Sequence, residues 1–392
     1  MIKAASLQTF EIDDVTLACR ELREQMNEKL TLLDSSVGII QCPPEFIEAG
    51  IVERLYQVLG IPLVGGTTVA TATNDATGSL SLSMLLLTSN DVDFAVSHTS
   101  GLAGDYMGSI ADSLGTVINS SSKRLKLALA FLPVFGNLSG DYYIDAFEAV
   151  CGKIPVFGTN TVDDNFPDFS QCYAICNDKS LKSEASYVLL FGEVKPRFFT
   201  AALPPRSNIE GSDAVITRAA DNTIYEINQM STIKYFESLG FAANGALKSG
   251  EDLLLPLLVT PDKVDNPRPF VRALISIDSD GSAICSGLMP VGSRITFGSN
   301  NGNDIVSSTA QVISQAAQEK NINAGLVFSC ITRQLVVGID SSKELKQIKD
   351  AFSPDLPFMA SYSGGEFSPT SVNNDNIAQN RYQNYSLVVC LI

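Results

Sequence analysis

Ile61-Pro-Leu-Val-Gly-Gly-Thr-Thr68 decides how the chain is read, because its pattern returns twice, as Ile154-Pro-Val-Phe-Gly-Thr-Asn-Thr161 and as Leu356-Pro-Phe-Met-Ala-Ser-Tyr-Ser-Gly-Gly-Glu366. A proline that opens a strand sits where no N–H is needed, and the small residues after it let the backbone turn sharply. Upstream of each copy lies an apolar run: Val37-Gly-Ile-Ile-Gln-Cys42, Leu127-Ala-Leu-Ala-Phe-Leu132 and Ala324-Gly-Leu-Val-Phe-Ser-Cys330. Between run and proline the spacing predicts a helix, with Ile47, Ile51, Leu55 and Val58 on one face in the first copy. Ile144, Phe147 and Val150 do the same in the second, and Leu345, Ile348 and Phe352 in the third, where Ser341 and Glu344 have capping-box spacing. Further strand-like runs follow, at Gly78–Leu87, at Cys172–Cys176 with Tyr187–Phe191, and at Tyr385–Ile392. Repetition at this scale marks duplicated supersecondary units. The predicted fold class is α+β, with mixed β-sheets covered by helices and built from repeated strand-helix-strand-strand units.

Outside the repeats, Val15–Leu33 reads as an amphipathic helix. Between copies two and three, Thr223–Asn228 reads as a strand, Gln229–Leu239 as a helix ended by Gly240, and Asp304–Gln318 as a further helix. Phe270–Asp278 and Ser282–Met289 read as a hairpin around Ser279-Asp280-Gly281. The polar Pro-Pro-Arg-Ser-Asn stretch at 204–208, then Asp221-Asn222, marks the expected boundary between halves.

Composition narrows the function. With 392 residues, 45% hydrophobic and 18% charged, the chain has material for a large core, which excludes disorder. Its 27 basic and 43 acidic residues give a net charge of −16, which disfavours nucleic acid and an anionic membrane surface as partners. The longest apolar run, Leu127–Phe135, contains Pro133 and is too short to span a bilayer. Eight cysteines without a CxxC, and no leader-like start, point to a reduced, cytoplasmic protein. One histidine, His98, and no G-x-S-x-G leave little for triad hydrolysis. No phosphate-cradling glycine motif and no metal-ligand spacing occur, so neither cofactor nor metal is expected. Asp278-Ser-Asp-Gly281 lacks the glycine and glutamate positions of a calcium loop.

The third copy carries a resemblance. Gly325-Leu-Val-Phe-Ser-Cys-Ile-Thr-Arg-Gln-Leu-Val-Val-Gly338 and Leu356-Pro-Phe-Met-Ala-Ser-Tyr-Ser-Gly-Gly-Glu-Phe-Ser-Pro369 resemble the FIST C-terminal signature, an F-S-C-x-x-R core followed by P-F-x-G and G-E motifs. Val271–Asp278, Asp280-Gly281 and Met289-Pro-Val-Gly-Ser293 fit the same domain. Upstream, the turns at 61–68 and 154–160 look like the two glycine turns of the FIST N-terminal domain, and Val215–Glu226 is similar to the link between the two. The sequence departs from the pattern at Gly158-Thr159-Asn160, where a double glycine is usual, and at Ala360, where glycine is common. The resemblance implies two domains, 1–222 with two repeat units and 223–392 with the third unit and an inserted hairpin and helices. It further implies a sensory module that binds a small ligand such as an amino acid and signals through a separate partner protein.

On this reading the candidate ligand-binding residues are Gly65, Gly66, Thr67, Thr68, Gly158, Thr159, Asn160, Cys330, Arg333, Gly364, Gly365 and Glu366. Turns facing one cleft would present backbone N–H groups to a carboxylate. Arg333 would add a bidentate clamp and Glu366 would accept from an ammonium group. Two alternatives stand beside it: a cysteine-dependent enzyme centred on Cys330 with Glu366 as base, and a haem-binding gas sensor using His98.

Overall fold

The computed structural model describes residues 1–102, 104–133, 139–165, 169–206, 214–247, 255–262, 269–338 and 342–392. Strand alternation explains its architecture. In Leu125–Pro133, the side chains of Leu127, Leu129 and Phe131 enter one apolar cluster while those of Ala128, Ala130 and Leu132 enter another. Val37 and Ile39 against Ile40 and Cys42 divide the same way in Ser35–Cys42. Both faces of these strands are buried, which is why they read as continuous apolar runs rather than as alternation.

One face of each of three six-stranded sheets meets the others in a common core. There Phe157 stacks on Phe328 at 5.3 Å between ring centroids. Helices cover the outer faces: Val15–Lys29 and Ile51–Leu59 on the first, Tyr106–Gly115 and Gly140–Cys151 on the second, Gly302–Ala316 and Ser342–Ala351 on the third. Ser341 lies outside the described residues.

Each unit makes four strands of its own sheet and receives two from a neighbour. Unit one places Lys3–Thr9, Leu82–Ser89, Ser35–Cys42 and Leu63–Thr67 side by side, and its sheet is completed by the hairpin Ala174–Cys176/Lys179–Leu181 of unit two. Unit two orders Asp93–His98, Ser186–Phe191, Leu125–Pro133 and Val156–Thr161, completed by Glu366–Val372/Ala378–Gln383 of unit three. Unit three orders Arg197–Ala201, Leu387–Leu391, Gly325–Cys330 and Phe358–Ser363, completed by Thr71–Thr73/Thr77–Gly78 of unit one. The exchange therefore closes a ring. Among the described strands of each sheet, the only parallel neighbours are the apolar run and the strand that the proline opens.

That pairing aligns the repeats. Gly65, Gly158 and Ala360 occupy equivalent positions, opposite Ile40, Ala130 and Val327. At Gly65 φ is 152°, and a Cβ would come 1.9 Å from the Ile40 carbonyl oxygen. Gly65→Ala is expected to cost about 2–3 kcal/mol through strain and overpacking, read as a lower urea midpoint. A loss below about 0.5 kcal/mol would mean that the strand shifts freely.

Unit three is interrupted between Ala201 and Gly302 by a small closed sheet. Its order is Ala214–Ala220, Arg294–Phe297, Pro256–Thr260, Phe270–Ile277, Ala283–Cys285, Thr223–Ile227 and Met230–Ser231, and the first strand pairs back to Thr223–Ile227. Phe236, Leu257, Leu274 and Phe297 help to fill it. The helix expected at Gln229–Leu239 is shorter, Thr232–Ser238, because Met230–Ser231 pairs with Glu226–Ile227. Asn228 and Gln229, at φ 50° and 62°, make the tight turn between them. Asp221-Asn222 is likewise a turn between paired strands, and the Ser207-Asn208 part of the polar stretch lies outside the described residues. Arg272 fastens this sheet to the body: 1% exposed, it donates to both Asp141 carboxylate oxygens at 2.8 and 2.9 Å and to the Tyr382 carbonyl at 2.7 Å.

Candidate functional site

The turns after the three proline-opened strands come together where the units meet. Thr68 donates its hydroxyl to the Tyr362 carbonyl at 2.8 Å, joining units one and three. The Val162 amide donates to the Thr67 carbonyl at 3.1 Å, joining two and one. Asn160 and the Gly364-Gly365 turn exchange two backbone bonds of 2.8 Å, joining two and three. Gly66 is required here, since a Cβ would meet the Thr161 methyl at 2.3 Å. The amides of Thr67 and Thr68 are also bonded internally, to the Tyr173 and Cys42 carbonyls. Gly65, Gly66, Thr67, Gly158, Thr159, Asn160, Gly365 and Glu366 are buried. Their polar backbone thus ties unit to unit.

Arg333 is 0% exposed. Its Nε donates to Glu344 at 3.0 Å, Nη1 to the Tyr385 carbonyl, and Nη2 to Thr309, Ser308 and the Ile305 carbonyl. Each guanidinium nitrogen is bonded to protein groups, and the side chain joins the helices Gly302–Ala316, Ile331–Val337 and Ser342–Ala351. Glu344, whose capping-box partner Ser341 lies outside the described residues, accepts from Arg333, Thr309 and Ser329.

Glu366 is fully buried and accepts from the Ser363 and Ser386 hydroxyls. Burial pushes its carboxyl up from 4.5 to about 8, against the opposing pull of those hydroxyls and of Arg333. Cys330, 1% exposed, has its thiol pushed up first by burial and then by Glu366. Cys42 is raised by burial and by Glu45. By strand register Cys42 is equivalent to Ser329, one residue before Cys330. His98 Nδ1 lies 2.7 Å from the Thr99 carbonyl and 3.0 Å from Glu184.

Over the carboxyl ends of the parallel strands opens a cleft of about 640 Å³. Unit one contributes Pro43, Pro44 and Glu45, which follow Ser35–Cys42, then Thr68 and Val69, which follow Leu63–Thr67, and finally Ser79 and Leu80. Unit two contributes Asp164, and unit three Ile331, Gln334, Leu335 and Gly338. Ligands of α/β sheets collect at this end of the strands. The described lining holds two carboxylates, Glu45 and Asp164, and no Lys, Arg or His. Leu80 and Leu335, 53% and 41% exposed, give the lining an apolar share. Of the twelve residues singled out from the sequence, Thr68 alone lines the cleft. Pro43-Pro44-Glu45 was legible as the segment directly after a strand end, but nothing in the sequence joins it to Asp164 or Gln334.

Among the described residues no group of three or more His, Cys, Asp or Glu is placed to hold a metal ion, and no helix is long and apolar enough to cross a membrane. Among solved structures, the chain is similar to a cyanuric acid hydrolase at 9% identity and TM-score 0.29, over 68% of this chain and 84% of that one. It is also similar to the cyanuric acid hydrolase from A. caulinodans, at 9% identity and TM-score 0.37, over 100% of this chain and 99% of that one. Similarity at this level implies no shared activity. No curated protein matches the chain. Residues 36–230 match the FIST N domain and residues 225–369 the FIST C domain. The chain therefore belongs to the FIST family, whose domains are associated with sensory and signal-transduction modules that bind small ligands.

Proposed function

We propose that this protein senses a small, amine-bearing and partly apolar molecule, an amino acid or a relative of one, in the cleft shared by its three units. The observation that carries the reading is the lining itself. Two carboxylates from different units, Glu45 and Asp164, stand among Pro43, Val69, Leu80, Ile331 and Leu335, with no cation among the described lining residues. An ammonium group would be held between the carboxylates by charge-assisted hydrogen bonds, and the apolar walls would take the rest of the ligand. A ligand carboxylate would rely on the Ser79 hydroxyl and the Gln334 carboxamide, because Arg333 is buried among its own partners and does not line the cleft. Cys330 enters the reading as a packed thiol next in sequence to Ile331 of the cleft lining, and a catalytic role gains no support from a thiol held protonated by burial. The eight free thiols suit a cytoplasmic location, and a separate signalling protein reads the occupied state.

A thermal-shift panel of amino acids, aliphatic amines and simple carboxylates tests this. A ligand at 100 times its Kd stabilises by about 2.7 kcal/mol, enough to move Tm by several degrees. The expected result is a shift with amine-bearing members and none with simple carboxylates. Asp164→Asn and Glu45→Gln, both at exposed positions, should each weaken the hit by about 10- to 100-fold while leaving the unliganded Tm in place. Hits confined to carboxylates, or unaffected by both variants, would overturn the assignment.

A further inference from the structure

At the amino end of unit two's first core strand, the far end from the cleft, lies a second depression of about 460 Å³. Three separate segments build it. Lys126 stands at the start of Leu125–Pro133, and Lys195 and Arg197 lead into Arg197–Ala201. Asn373, Asn374 and Asn376 come from the tip of the hairpin that unit three lends to unit two. Among the described residues no carboxylate lines the depression, in a chain whose acidic residues outnumber its basic ones by 43 to 27.

The tip that shapes it is held in place rather than loose. Asn376 donates to the Lys126 carbonyl at 3.1 Å, Arg124 to the Asp375 carbonyl at 2.8 Å, and the Ala378 amide to the Lys153 carbonyl at 2.7 Å. Asn373 accepts two backbone amides with its oxygen, those of Asp375 and Ile377, which leaves its NH₂ to donate outward. Among the described residues neither Lys126 nor Lys195 is in an ion pair, and Arg197 has only a long, exposed one, 3.9 Å from Glu319. Gathering like charges in one depression raises the potential there and favours a multiply charged anion that brings them together. Three cations and a row of carboxamide donors match the tetrahedral oxygens of a phosphate group.

We infer that this depression binds a small soluble molecule carrying a phosphate or diphosphate group, at a site separate from the amine cleft. The net charge of −16 opposes an anionic lipid surface as the source of that phosphate. The experiment is titration of the full chain with inorganic pyrophosphate by calorimetry and ³¹P NMR at two salt concentrations, with Lys126→Ala, Lys195→Ala and a distant control, Lys234→Ala. The expected result is saturable binding at one site, weaker at higher salt. Either lining variant should lose at least about tenfold in affinity while Lys234→Ala keeps it. Lys195 is exposed, so its substitution leaves the fold intact. Absence of saturable binding, an equal loss in Lys234→Ala, or capture of the protein by phosphatidylserine vesicles would each overturn the inference. The amine panel reads the other end of the strands, so failure there leaves this result standing, and the reverse holds too.

Discussion

Arg333→Ala is expected to lower the stability of the protein by about 3–5 kcal/mol, seen as a large fall in the denaturant midpoint. The side chains of Arg333 and Glu344 are both 0% exposed and lie 2.9 Å apart. Removing the guanidinium strands the Glu344 carboxylate in the core and leaves the Tyr385 and Ile305 carbonyls without their donor. Unpaired buried groups cost their full desolvation, whereas exchanging both partners for apolar side chains of similar volume is often close to neutral. Arg333→Met combined with Glu344→Leu should therefore recover much of the loss, and a double-mutant cycle should give a coupling of several kcal/mol. A loss below about 1 kcal/mol together with abolished ligand binding would instead return Arg333 to the clamp role expected of it in the sequence.

The second large effect is a dependence on pH traced to Glu366. Its carboxyl titrates near 8 in the folded protein against 4.5 as the ordinary value. Below about pH 4.5 both folded and unfolded forms carry the proton, so the favourable contribution is fully present. As pH rises towards 8 the unfolded chain ionises first, and stability falls through that window before levelling off above it. At about 1.4 kcal/mol per pKa unit the total change is of the order of 5 kcal/mol. Glu366→Gln removes the titration while its carbonyl still accepts from one of the two serine hydroxyls and its NH₂ donates to the other, so its stability should be flatter between pH 5 and 8.5. Wild-type and variant curves that run parallel over that range would mean the group is ionised throughout.

How much of this was legible in the sequence differs from element to element. Leu127-Ala-Leu-Ala-Phe-Leu132 already carries its division into a large-residue face and a small-residue face, and the structure places those faces in two different clusters. The three prolines fixed the register so closely that Gly65, Gly158 and Ala360 line up once the strands are paired. The exchange of hairpins was not legible. Ala72 pairs with Ala360, far along the chain, and local propensity carries no information about such a partner. The glycine turns were legible as turns, but whether their amides face a ligand or a neighbouring unit depends on that same long-range pairing. Arg333 shows the limit most sharply. An arginine in an F-S-C-x-x-R motif looks the same whether it meets a ligand or Glu344, and burial alone decides between them.

The ring of lent hairpins has a consequence for how such a chain is assembled. One unit cut free would keep a four-stranded sheet with an open edge and a hairpin with nothing to join, which is a poor soluble monomer. Three identical copies would satisfy one another by closing into a threefold trimer, the closed geometry that cyclic symmetry allows for head-to-tail contacts. The present chain is the covalent counterpart of that trimer. Within one chain the three positions need not be identical: one carries alanine where the other two require glycine, and one alone carries a hundred-residue insertion between Ala201 and Gly302. Deleting any unit would break two exchanges at once, so the chain gains and loses its fold as a circle rather than as a row.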